Sequence, residues 1–402
     1  MAVISEIPED SNGDHSNPNK KPQDAKKKLR EPDERYSFPI PDEVTEKCFA
    51  LVERCHYPEL SLVSDTFRRL INSPTLYNTR SRLGQTESVL YVYLGFTGYE
   101  RLSWYILHRK PSRNVPNTFS LRLGKIGTLP PMPWGAAVVS VGYEMYVFGG
   151  CVGQKEVPTK GTKEVIVIDC RLHTHRSLPS MKLNRSRAAA GLIDGKIYVI
   201  GGCQTRSGHY IETFDVREQV WVRTKWSQPR NNLFYTYAVM EEQVFILGKK
   251  KLFAYEPKEG KLRRILAGEL CLRWHMSSCM IDDMLFSFNP QRVFENMAPE
   301  PIIVYDPKEK EWRPWTGLQG FPYNIFLHES KMGNLGGNLV ILGNDRSHQS
   351  QGFGGKKYIW CVEISLERGQ GGEISGKVES VAVVLTVPEW QASIELCRTV
   401  TV

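Results

Sequence analysis

The chain has 402 residues, 41% hydrophobic and 24% charged, an ordinary globular composition. No apolar run approaches eighteen residues, which argues against a membrane-spanning helix, and nine scattered cysteines without a C-x-x-C pair argue for free thiols in a reducing compartment. The formal net charge of +8 could suit an acidic partner surface, but no nucleic-acid-binding motif accompanies it.

Residues 1–38 hold seven Lys or Arg and eight Asp or Glu, so this segment is close to neutral and the surplus charge belongs to the rest of the chain. It is rich in Pro, Asp, Asn and Lys and reads as a disordered tail. It lacks the apolar core of a secretion signal, so the expected location is the nucleus, the cytoplasm or both. Lys20, Lys21, Lys26, Lys27, Lys28 and Arg30 form a basic cluster that fits either a nuclear import signal or a solvated tail.

Residues 39–84 form a small helical unit, too short to bury a core alone. Pro41 suits a first helical position, and Asp42 and Glu43 place negative charge at the positive end of the helix dipole. Val44, Cys48 and Leu51 follow at helical spacing. Pro58 restarts the chain, and Leu60, Val63, Phe67 and Leu70 recur at three or four residues, with a turn near Ser64. Ser73-Pro74 reads as an N-cap and first helical residue, and Gly84 as a stop. The apolar positions exceed what such a unit can hide, which marks an interface or a cap packed on the next domain. Ile40-Pro41-Asp42-Glu43, Pro58-Glu59-Leu60, Leu62-Val63-Ser64, Phe67-Arg68-Arg69-Leu70-Ile71 and Ser73-Pro74 resemble an F-box in order and spacing. The resemblance implies a helical surface that grips a Skp-type adaptor through Ile40, Pro41, Val44, Pro58, Leu60, Leu62, Val63, Phe67 and Leu70. Ile40 stands where Leu is usual and Phe67 where many members carry Trp, both still apolar plugs.

From residue 87 the pattern changes to short β-branched and aromatic runs separated by Gly, Asp, Asn and Pro. MYVFGG ends at Gly150 and IYVIGG at Gly202, 52 residues apart; VFILGK, MLFSFN and LVILGN follow at comparable intervals. Short turns precede these strands at Gly142, Asp194-Gly195, Glu241-Glu242, Asp282-Asp283 and Gly336-Gly337. A second strand in each unit carries an acidic residue, Asp169, Asp215, Glu256, Asp306 or Glu363, and Trp221 and Trp312 come late in two of the units. A period near fifty with four strands per unit points to a β-propeller over residues 87–390, with about six four-stranded blades. Residues 391–402 are left as a C-terminal tail, and Val381–Val387 is the candidate for closing the ring. The Gly pairs and late Trp residues resemble degenerate kelch repeats, and an F-box followed by such repeats resembles the plant F-box/kelch-repeat family. The fold expected is mainly β, a kelch-type propeller behind a small all-α F-box.

That resemblance implies a non-catalytic substrate receptor of a Skp–cullin–F-box ubiquitin ligase, holding an unknown target protein near the charged conjugating enzyme. Phosphate-loop, H-E-x-x-H and G-x-S-x-G motifs are absent, and no cofactor is expected. His173 and His175 lack an evident third metal ligand. A non-ligase interaction scaffold or a propeller enzyme remain the other readings. Target contacts are expected on the loops that precede the glycine-bearing strands, where Trp134, Arg187, Phe234, Trp274 and His328 stand. Arg185, Arg187, Arg230, Asn232, Trp274 and Tyr323 are the candidates, with Asn231 and Asn324 nearby, whereas Trp134 and Phe234 are expected in the core.

Overall fold

The structure is a computed structural model that describes residues 40–96, 102–111, 119–151, 161–203, 210–222, 234–248, 251–265, 268–291, 300–322, 324–345, 356–369, 373–388 and 392–402. The tail and its basic cluster lie outside these residues. Four short helices come first: α1 (Asp42–Ala50), α2 (Tyr57–Leu60), α3 (Asp65–Ile71) and α4 (Pro74–Arg82). Ser64 caps α3 by accepting from the Phe67 N–H, and Ser73 caps α4 by accepting from the Thr75 N–H. Gly84, at φ +67°, follows α4 in the left-handed conformation that ends many helices.

Among the described residues, twenty-four strands then build six four-stranded antiparallel sheets. The first sheet takes β1 (Ser88–Phe96), β2 (Ser103–Pro111) and β3 (Phe119–Ile126). The second is β4 (Ala137–Val141), β5 (Glu144–Phe148), β6 (Val165–Asp169) and β7 (Thr174–Leu178). The third is β8 (Ala189–Ile193), β9 (Lys196–Ile200), β10 (Ile211–Asp215) and β11 (Val220–Val222). The fourth is β12 (Phe234–Met240), β13 (Gln243–Gly248), β14 (Lys251–Glu256) and β15 (Lys261–Ile265); α5 (Glu269–Arg273) follows it. The fifth is β16 (Ser278–Ile281), β17 (Met284–Phe288), β18 (Ile302–Asp306) and β19 (Glu311–Pro314). The sixth is β20 (Lys331–Leu335), β21 (Asn338–Asn344), β22 (Lys356–Arg368) and β23 (Ile374–Pro388). β24 (Ala392–Thr401) returns to complete the first.

Local chemistry sets these hairpins. Two-residue links between first and second strands need positive φ to match the strand twist. Asp194-Gly195, Glu241-Glu242, Asp282-Asp283 and Gly336-Gly337 all supply it at both positions. The acidic residues ending the third strands turn the chain: Asp215 Oδ1 accepts from the backbone of Arg217 and Glu218, each at 3.0 Å, and Asp306 does the same for Lys308 and Glu309. Glu363 departs from the pattern. It sits buried within β22, pairs with Arg109 of the neighbouring blade and accepts from Asn338 Nδ2 at 2.9 Å.

Six apolar clusters fill the gaps between successive blades. Phe148 and Phe214 are fully buried, and Trp221 packs edge-on to Phe214 at 5.2 Å. The Trp221 indole reaches the Pro179 carbonyl at 2.7 Å, so its polar edge is satisfied where its ring fills the gap. The six blades are as expected; the closure is not. Val381–Val387 lies in β23, the outer strand of the sixth blade, and residues 392–402 are no tail. β24 pairs with β1 from Ser88↔Thr401 to Phe96↔Ala392, and Glu87 and Val402 exchange two backbone hydrogen bonds. The first blade thus joins both regions of the chain, a pairing between strands too far apart in sequence to show in a local repeat.

Removing residues 392–402 would strip Ile394, Cys397, Val400 and Val402 from the core and unpair β1. At about 1.5–3 kcal/mol for each buried side chain, that rivals the whole stability of a domain. The truncated chain is expected to lose its cooperative thermal transition, which circular dichroism melting checks.

Candidate functional site

The helical unit has an inside and an outside. Phe49, Ala50, Tyr57, Phe67, Ile71 and Leu76 form its own buried cluster, with Phe49 and Phe67 edge-to-face at 4.6 Å. Thr45, Phe49 and Ala50 face inward along α1, while Val44, Cys48 and the C-terminal Leu51 fall at i, i+4 and i+7 on its exposed side. Six of the fourteen exposed large apolar side chains among the described residues fall here: Ile40, Val44, Leu51, Leu62, Val63 and Leu83. Leu62 is 78% exposed and Val63 64%. So small a unit leaves an unusual amount of apolar surface uncovered.

This division corrects one adaptor-site expectation. Phe67 is 8% exposed and belongs to the core, so it supports the surface without forming it. Leu60 and Leu70 are half-buried against the same cluster; Ile40, Pro41, Val44, Pro58, Leu62 and Val63 remain exposed. The three- and four-residue spacing that brought Phe67 and Val63 together cannot distinguish them, because the turn capped by Ser64 separates their elements.

The strand-start end of the ring holds the expected target loops. Adjacent blades are stitched there by backbone bonds from Gly150 N–H to Arg185 O at 2.8 Å and from Arg187 N–H to Gly135 O at 2.7 Å, while within the third blade Ser186 N–H reaches Gly202 O at 2.9 Å. Gly202 permits that approach, since a Cβ would stand 2.7 Å from the Ser186 carbonyl oxygen. Arg185 is fully buried, a correction to its expected surface role. Its guanidinium donates to Glu212 Oε1, the Tyr210 carbonyl at 3.0 Å and the Gly201 carbonyl. Trp274 is also core, 4% exposed, its indole N–H on Ser278 Oγ at 2.9 Å. Arg187 alone of the described candidates is exposed, and it lies over the Trp134 ring at 4.2 Å. Phe234 is buried as expected, but Trp134 is half-buried, drawn to the rim by that cation. His328 and Asn324 are exposed on the same rim. Arg230, Asn231, Asn232 and Tyr323 lie outside the described residues.

Comparison with known proteins now bears on both ends. Residues 39–79 match the F-box domain, and residues 104–385 match the FKB95 kelch-repeats domain. A putative F-box/kelch-repeat protein of Arabidopsis thaliana, At2g21680, is 45% identical over 436 aligned positions, covering both chains entirely. The Arabidopsis F-box/kelch-repeat protein At2g29830 is 43% identical, again over the whole of both chains. A third Arabidopsis relative, the kelch repeat-containing protein At1g19470, is 44% identical at the same coverage. The chain belongs to the F-box/kelch-repeat family. Its pairing of an F-box with a kelch propeller is that of an F-box substrate adaptor, the F-box implying a Skp-type partner and the propeller a target.

The F-box sits on the end of the kelch ring opposite the Arg187 rim. Tyr77 packs among Tyr91, Val400 and Cys170, and Arg171, in a turn of the second blade, donates to Asn78 Oδ1 at 3.2 Å. Arg80, 2% exposed, is the central tie. It donates to the Ala50 carbonyl at 3.1 Å and the Tyr57 hydroxyl at 3.0 Å, and pairs with Glu87 at the mouth of β1. Glu87 also accepts from the Arg54 backbone at 3.0 Å. Neither residue carried a signal in the sequence beyond being charged, and their pairing joins the F-box to the ring. Among the described residues one group of three metal-ligand types converges, Glu53, Cys55 and His56. Burial, with Glu53 and Glu87 beside it, pushes the Cys55 thiol up to about 11. His173 turns its Nε2 to the Tyr91 hydroxyl at 2.9 Å, while His175 is exposed.

Two predictions follow from this seam. Arg80→Met leaves Glu87 and two backbone carbonyls without their cation, and is expected to cost about 3 kcal/mol. Urea unfolding with F-box and propeller probes would show the F-box transition falling first. Second, burial, then the nearby Arg54 charge and His108, hold the His173 imidazole at about 4, below its usual 6.5. Between those values the unfolded chain takes up a proton that the folded chain refuses, so stability falls as pH drops through this window. His173→Asn, which tolerates the φ of 54° found there, is expected to lower the slope by up to about 1.4 kcal/mol per pH unit near pH 5. Denaturation across pH 4–7 measures it; an unchanged slope would refute the assignment.

Proposed function

We propose that this protein is the substrate-recognition subunit of a Skp–cullin–F-box ubiquitin ligase. The observation that carries the reading is the concentration of exposed Ile40, Val44, Leu51, Leu62 and Val63 on a unit whose own core is already filled by Phe49, Phe67 and Leu76. An adaptor that covers those side chains supplies the burial the unit lacks. The cullin scaffold reached through the adaptor would bring the charged conjugating enzyme, and the propeller would hold the target within its reach. No group in this chain is asked to perform chemistry; the receptor acts by raising the local concentration of a target lysine. Arg187, with Trp134 beneath it, is the described part of the target rim best suited to an acidic or aromatic partner. The nucleus and cytoplasm are the compartments in which such a receptor would work.

The separation of core from surface dictates the test. Val44→Asp with Leu62→Asp changes exposed positions only, so the thermal transition should stay within about a degree or two while affinity for a Skp-type adaptor falls about 100-fold or more. Co-purification and calorimetry with the full chain, beside a truncation starting at Gly84, provide the measurement. Undiminished binding by the folded double variant would rule out docking through this surface.

A further inference from the structure

The six inner strands β4, β8, β12, β16, β20 and β24 surround a central channel of about 490 Å³. Its wall is largely neutral, with Val139, Leu192, Val239 and Met332 among the apolar members. Asn334 and Thr399 bring polar atoms to it, but these are engaged in tying the ring. Asn334 Nδ2 donates to the Met280 carbonyl at 3.3 Å, and Thr399 Oγ1 donates to the Asn334 carbonyl. Arg398 of β24 is different. It is the one ionised side chain lining the channel among the described residues, and no carboxylate lines it with it. Its Nε is buried without a hydrogen-bond partner, and the guanidinium makes no ion pair among the described residues. Its charge also reaches inward: it opposes the upward shift that burial gives the thiols of Cys279 and Cys397, on strands of the fifth and first blades.

A guanidinium cannot relieve this situation by losing its proton. Arg398 is half-buried with its Nε withdrawn from solvent, and the protein supplies no counter-charge for it among the described residues. The two fully buried arginines have carboxylate partners: Arg80 has Glu87 and Arg185 has Glu212. A planar fork whose wall mixes valine, leucine and methionine side chains with serine, threonine and backbone groups matches a carboxylate or phosphate attached to a small, partly apolar body. The volume falls within the range of small-ligand sites.

We propose that the channel binds a small organic anion, its acidic group held by Arg398 and its apolar part by the surrounding valine, leucine and methionine side chains. This site is separate from the adaptor surface and does not depend on F-box docking.

The test titrates the purified full chain with benzoate, phenyl phosphate and neutral benzyl alcohol, followed by calorimetry and thermal shift. At least one of the two anions is expected to bind about tenfold or more tightly than the alcohol, more weakly as salt rises, and to raise the melting temperature. The tighter of the two identifies the acidic group. Arg398→Met should weaken that anion by about tenfold or more, leave benzyl alcohol unchanged, and melt no lower than the wild type without ligand; Arg398→Lys should recover part of the affinity. Equal binding of anion and alcohol, or anion binding that survives Arg398→Met, would overturn the proposal. So would a ligand-free Arg398→Met chain that melts well below the wild type, because the guanidinium would then be a structural prop.

Discussion

The pairing of β24 with β1 is the interaction on which the rest depends. It closes a ring whose blades are each too small to stand alone, and it does so with residues far apart in sequence. The same strand supplies Val400 to the cluster that receives Tyr77 of the F-box, and Arg398 to the channel. Glu87, one residue before β1, exchanges backbone bonds with Val402 and takes the Arg80 guanidinium. Closure, seating of the F-box and the charge in the channel are therefore one construction, made where the chain meets itself.

Seating of the F-box has a directional consequence. α4 feeds β1 after a few residues, and β1 begins at the end of the ring where the inner strands finish. The rim where inner strands begin, with Arg187 over Trp134, is thus turned away from the helices. An adaptor on Val44 and Leu62 and a target on the Arg187 rim need not compete for space. Arg80 keeps this arrangement stiff, because it binds α1, Tyr57 and Glu87 at once and cannot follow one partner without leaving the others.

Much of the fold was legible in the sequence because its signals are local. Two-residue turns with positive φ, an aspartate that caps the next turn, and a glycine where a neighbouring carbonyl comes close are each decided within a few residues. Counting them gives five blades, and the strand runs from residue 87 onward supply the sixth. The site was less legible, because exposure is decided by contacts distant in sequence. Phe67 and Leu62 are both apolar and both near a turn, yet one meets Phe49 and the other meets solvent. Arg185 and Arg187 are two residues apart in a loop. Glu212, 27 positions on from Arg185, takes it into the core, while a left-handed φ of 56° at Arg187 lets it lie over Trp134. β24 could not be read as the closing strand for the same reason: the three strands it completes, β1 to β3, lie at the far end of the sequence.

These cases separate the residues that hold the fold from those left for partners. A buried arginine with its carboxylate, as at Arg80 and Arg185, is structural, since the cost of desolvating the cation is already offset inside the chain. An apolar side chain among Phe49, Phe67 and Leu76 is structural for the corresponding reason. The remaining groups are the inverse of these: apolar side chains in water at Val44, Leu62 and Val63, and a cation without an anion at Arg398. Each leaves free energy to be gained by binding, and the complements proposed for them are an apolar adaptor surface in the first case and a small acid in the second. The fold tolerates both because neither is needed to close the ring.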